Sequence, residues 1–346
     1  SLYAITDGSN WKEIIKNLHL TLESARQYGF TDQEIERAKG EIYAELHESV
    51  ETEGSLHSRV IAERLVDHIV DGDVYMSPQQ EEQLYSSMLV EITAQDIHKG
   101  FNEIWTNPAR LISVTGDTNI SENANKKIRS YYTTIKDTKI DKPDTVRSVV
   151  FPYLKLPMTK TIVRAKKTYP YIDVTRFTFD NGLIFNFKKT DYEPNMVRIA
   201  AHFGRGEQDE PVHGMALVAD DIVNLSGTKT LSLSELETIV AASSVDLTFR
   251  IGRSSSSWSG SALTSDMGLL IQLLRSLLLD PGFEKTAYKK VLQRFEMMHS
   301  RLEKDIDGAV LCKVQPFWAG GNPHYGLPAR KDMQRLNYDE VLSWVT

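Results

Sequence analysis

Two stretches of this chain repeat one plan, and a repeated plan restricts the fold strongly, because each copy has the same faces to bury. Trp11 to Phe30 reads as a helix that ends in Gly29-Phe30 and leads into a long helix from Thr31. Met267 to Leu279 is likewise helical, ends near Pro281-Gly282-Phe283, and leads into a long helix from Glu284. The two Gly-Phe pairs are 253 residues apart, and two later helix starts, at Thr93 and Asn337, are 244 apart. Two unequal copies that differ by about nine residues of loop account for both offsets.

The helix starts share a signature. Thr31-x-x-Glu34, Thr93-x-x-Asp96 and Asn337-x-x-Glu340 each set a side-chain cap ahead of an acid at the third helical position. Phe30 with Ile35, Ile92 with Ile97 and Leu336 with Val341 supply the flanking apolar pairs of a hydrophobic staple. The first copy is expected to hold a remnant strand (Leu2 to Ile5), helices near 10–28, 31–70, 78–90 and 94–105, and a strand from Ala109 to Asp117. In the second copy, Asp180-Asn181-Gly182 predicts a hairpin between strands near 174–179 and 183–189. An alternating strand at 196–203 follows, then helices near 212–226 and 232–241 and strands near 245–251 and 256–263. Helices at 266–279, 284–303 and 337–345 close the chain. The expected class is α+β, with tandem copies of an antiparallel sheet carrying helices on one face, the first copy incomplete.

At 346 residues the chain exceeds the usual size of a single core, so more than one domain is expected. The divisions read as 1–118, a basic Pro-containing linker at 119–172, and 173–346. Between 121 and 172 stand twelve Lys/Arg against four acids (Glu122, Asp137, Asp141, Asp144), inside a chain whose net charge is −7. Pro143, Pro152, Pro157 and Pro170 punctuate the stretch, which favours a linker over a nucleic-acid patch, and the overall acidity argues against nucleic acid as a partner. No run of eighteen or more apolar residues is present, so no membrane span is expected. Cys312 stands alone, which excludes a disulfide framework. SLYAITDGSNW opens inside a strand-like run and LNYDEVLSWVT stops within a helix, as expected of a piece of a longer chain.

Residues Gly214 to Thr228, GMALVADDIVNLSGT, have the frame of a zinc-peptidase helix without its ligands. In His-x-x-Glu-His, histidines at i and i+4 share a helix face and grip Zn²⁺, while the glutamate acts as general base on the bound water. Leu217, Asp220 and Asp221 occupy those places here. Leucine binds no metal, and adjacent aspartates point about 100° apart on a helix.

Around this frame stand Asn181-Gly182-Leu183, Gly204, Gly206-Glu207, Gly214-Met215-Ala216 and Gly227-Thr228. In this order and setting they resemble the insulinase-type zinc peptidases, family M16. GFTDQEIERAK, AERLVDHIVDG, EITAQDI and the strand ending VTGD are similar to the closing half of one M16 domain, and 173–346 to most of the next. The resemblance implies late domain two, a linker and most of domain three of a four-domain enclosure around peptide substrates. It places Glu296 near the third zinc ligand, puts zinc and its catalytic groups in a first domain outside this chain, and puts a substrate-holding Arg/Tyr pair beyond Thr346. The other domains of the longer chain and peptide substrates are thus the implied partners. The implied compartment is bacterial cytoplasm or periplasm. No catalytic, cofactor-binding or metal-ligating residue, and no cofactor, is expected within this chain.

Other constellations read as structural. His57 and His68 return to one helix face but lie about 16.5 Å apart along it, and Glu63 points away from both, so they share no ion. Asp220, Asp221 and Glu296 show no six-oxygen pattern for a hard cation. Ser254 to Ser257 and Ser259, with Trp258, read as a polar, partly exposed strand. GGNPHYG (Gly320 to Gly326) reads as a turn, not a phosphate loop.

Overall fold

A computed structural model of the protein describes residues 2–4, 10–106, 111–115, 120, 123–142, 150–155, 161–302 and 305–346. The expected helices of the first copy form as α1 (Trp11–Tyr28), α2 (Asp32–Thr52), α3 (Ser58–Asp71), α4 (Pro78–Glu91) and α5 (Ala94–Trp105). Thr31 and Thr93 make reciprocal capping boxes with Glu34 and Asp96, as their spacing predicts, and Ser77 makes a third with Gln80. Gly29, at φ 70°, turns α1 away from α2 and brings His98 of α5 close beneath it. Phe30 and Phe101 then meet edge to face at 5.4 Å.

The long helix expected over 31–70 is broken. A 3₁₀ turn at Glu53–Ser55 ends α2, and His57, expected within the helix, is instead the N-cap of α3, where Nδ1 accepts from the Arg59 N–H at 3.3 Å. Gly54 in the turn weakens the helix locally, and the cap offers the chain a fresh start. Residues 2–4 and 111–115 lie outside any strand. The rest of those two expected strands falls outside the described residues. A strand persists only where a neighbour completes its ladder, and no pairing involves these described residues.

The stretch expected as linker carries structure. Helix α6 (Ala124–Ile135) packs on α1 through Trp11 with Tyr131 and His19 with Tyr132. Strand β1 (Val163–Tyr169) pairs with the hairpin of β2 (Val174–Phe179) and β3 (Ile184–Phe187) in a three-stranded antiparallel sheet, order β1-β2-β3. Between them, Tyr153 donates to Asp280 at 2.9 Å, and Arg275 donates to the carbonyls of Leu154 and Lys155.

A second antiparallel sheet contains β4 (Met196–Phe203), β5 (Asp246–Ile251) and β6 (Ser256–Leu263), with β6 central. The antiparallel sheet of the second copy is therefore divided in two. Pro194, which has no N–H to donate, and Asn195, at φ 60°, turn the chain between them. α7 (Met215–Asn224) packs on β5, and α9 (Met267–Leu279) packs on β6 and β5. The core joins Met215, Val218, Ala219 and Ile222 of α7 to Val291 and Phe295 of α10 (Lys285–Leu302) and to Met333, Leu336 and Val341. α8 (Leu233–Val240) seals a smaller cluster of Leu231, Leu236 and Leu273, against which Phe151 and Tyr153 pack. Beyond α10 the chain makes short turns of helix at Ile306–Ala309 and Gln315–Trp318, a 3₁₀ turn at Pro323–Tyr325, and a last helix at Tyr338–Val345.

Candidate functional site

α7 carries the stretch expected as a zinc-peptidase frame, and its geometry begins at Gly214. That residue sits at φ 97°, and an added Cβ would lie 2.6 Å from Met333 Sδ and 2.9 Å from Pro328. Only glycine meets both demands at low cost, which explains the glycine that opens the frame. Gly227 at its far end is equally confined, because a Cβ there would come 2.2 Å from the Leu231 carbonyl oxygen.

The three ligand places have other employment. Leu217 is exposed at 37%. Asp220 is buried, and its carboxylate accepts from the Ile251 N–H at 2.9 Å and from Asn224 Nδ2 at 3.0 Å. Asn224 also takes the Phe249 N–H and gives to the Phe249 carbonyl, both at 2.9 Å. Two polar side chains one turn apart thus pin α7 to the backbone of β5. Burial pushes the Asp220 carboxyl above its usual range, with the Ile251 N–H and Arg250 pulling the other way. Asp221 pairs with Arg294 at 3.8 Å and Glu296 with Arg330 at 3.6 Å.

A different trio converges just ahead of this helix. Among the described residues, Glu210, His213 and His324 form the one His/Cys/Asp/Glu group whose ligand atoms all lie within 4.8 Å of one another. Glu210 is buried, with its carboxylate accepting from Gly214 N–H at 3.2 Å and Ala216 N–H at 2.8 Å, two of the free donors at the start of α7. His324 Nδ1 lies 3.0 Å from Glu210 Oε1. The rings of His213 and His324 are 5.1 Å apart. Desolvation lowers the pKa of His213, with Glu210 opposing and His324 reinforcing that shift.

Sequence reasoning missed this trio. Glu210 and His213 sit in the turn before the frame, and His324 belongs to GGNPHYG, whose position against α7 no local pattern encodes. The other constellations are dispersed: Glu63 pairs with Arg59 at 3.0 Å and His68 stacks edge-on with Tyr75. The serine-rich strand is less exposed than its composition suggests. β6 is the central strand, so Ser256 and Trp258 are buried, and Ser256 donates to the Arg205 carbonyl.

The fold and the frame together define a class, the zinc peptidases of insulinase type, to which this chain is similar. No protein-family model matches the chain. Among curated proteins it is 22% identical over 284 residues to a probable zinc protease, PqqL of Escherichia coli (strain K12), a match covering 74% of this chain and 28% of that protein. Among solved structures, the ferredoxin protease FusC, crystallised with Arabidopsis ferredoxin, superposes over 97% of this chain at a TM-score of 0.56 and 18% identity. The fold is therefore that of this protease over the matched region. The match spans 38% of the FusC chain, so this chain covers well under half the length of either relative. No helix among the described residues is long and apolar enough to cross a membrane.

Proposed function

We propose that the chain is a non-catalytic portion of an M16-type zinc metalloendopeptidase and helps to wall the chamber that encloses a peptide. The observation that carries this reading is the state of Asp220. It stands where the frame would place the glutamate base, yet it is buried and bonded to β5, so the position serves to hold the helix on the sheet. Zinc, base and attacking water then belong to a first domain of the longer protein. The retained glycines keep the domain's shape while its ligand places have become structural.

The wall would meet its neighbours through apolar surface. Val66, Ile69, Val70 and Val74 leave a run of exposed side chains on α3 and just after it, suited to the remaining domains of the longer chain. β3 is an outer strand with Ile184, Phe185 and Phe187 exposed, and its free edge can accept an extended peptide as a further strand. Nucleic acid is not a partner on this reading, and the 346-residue chain should not be retained on DNA at moderate salt.

The test compares peptide hydrolysis by the 346-residue chain and by the longer protein that contains it. Hydrolysis only in the longer protein, abolished by a chelator, is the expected result. A longer protein that lacks an intact His-x-x-Glu-His and cleaves no peptide would replace this reading with that of a degenerate homologue acting as an assembly subunit.

A further inference from the structure

We propose that Glu210, His213 and His324 bind one divalent transition-metal ion, Zn²⁺ by donor chemistry, at a site distinct from the vestigial frame on α7. Two imidazoles and one carboxylate are a donor set that zinc accepts, with water completing four-coordination. The ligand atoms already lie within 4.8 Å of one another, and a tetrahedral zinc with bonds of about 2.0–2.2 Å needs them roughly 3.4 Å apart. Rotation of the two half-buried imidazoles supplies the remaining closure, while the carboxylate stays fixed.

Three features distinguish this cluster from a plain Glu–His pair. The buried Glu210 carboxylate is oriented by two backbone N–H groups, the kind of outer support that fixes a metal ligand. A second imidazole has a ring nitrogen within 4.8 Å of the same carboxylate, where a pair would need only one. The turn bearing His324 is itself anchored: Arg253 stacks on Tyr325 at 4.0 Å, donates to its hydroxyl at 2.6 Å, and lies 3.6 Å from Glu207. A metal here would join the start of α7 to the 320–326 turn, which are more than a hundred residues apart in sequence.

The test measures zinc in tag-free protein after chelation and reloading, as the difference between wild type and variants, so that zinc elsewhere in a longer chain cancels. His213→Ala and His324→Ala should each lose one equivalent, and the wild type loaded with Co²⁺ should show the visible bands of four-coordinate cobalt. Added zinc should raise the melting temperature of the wild type by more than that of either variant. Asp221→Asn and Glu296→Gln should keep the full equivalent. Wild-type protein that takes up no zinc at this site, or variants that retain it, would overturn the proposal. None of the three residues belongs to the vestigial frame, so failure here would leave the chamber reading intact.

Discussion

Asp220 shows how a single buried acid can fasten a helix to a sheet. Asp220→Ala would leave the part-buried Ile251 N–H without this acceptor and remove a partner of Asn224, at a cost of about 1–3 kcal/mol. The urea midpoint should fall accordingly, with Asp220→Asn losing less because an amide oxygen can still accept. Asp280 gives a pH prediction. Desolvation raises its pKa, but hydrogen bonds from Thr230 and Tyr153 prevail and hold the carboxyl below its usual value of 3.8. Its contribution is therefore present above the unfolded carboxylate range and is lost as pH falls through the lower folded value. Asp280→Asn should flatten the acid limb of the stability profile while changing its slope little near neutrality.

At the scale of elements, local chemistry was largely legible and pairing was not. The boxes at Thr31 and Thr93 and the hairpin turn at Asp180-Asn181-Gly182 act within a few residues, so the sequence shows them directly. β1 was missed because strand β2 creates its environment and its own residues are charged and exposed. The glycines at 214 and 227 are legible in the sequence because close backbone approach and, at 214, a left-handed conformation demand them. Gly214→Ala should cost at least about 1–2 kcal/mol for the left-handed conformation alone, with the contacts to Pro328 and Met333 adding to it. Thermal unfolding would register this as a clear loss, whereas Gly72→Ala at a helix end with open space should show the conformational cost alone.

Across the molecule, burial is uneven. Among the described residues, the main cluster of buried side chains and the smaller one beside it both lie beyond residue 173, while α3 has no buried residue. Hydrogen exchange should therefore be slowest in α7, α9 and β6 and much faster in α3. The halves meet where Gly40 of α2 faces Ala242, since a Cβ at Gly40 would lie 2.7 Å from that of Ala242, and where Asn195 donates to Glu51 at 2.7 Å. Gly40→Val should push these segments apart and uncouple the halves, visible as a second unfolding transition in calorimetry. The sequence by itself determined the capped helix starts at Thr31, Thr93 and Asn337, the α+β class and the lack of a His-x-x-Glu-His motif between Gly214 and Thr228, because each is written in residues a few positions apart. Only the tertiary structure decided that the sheet divides, that Asp220 is bound to β5, and that Glu210, His213 and His324 converge. Those depend on segments brought together by packing, and no local spacing records where a distant turn will come to rest.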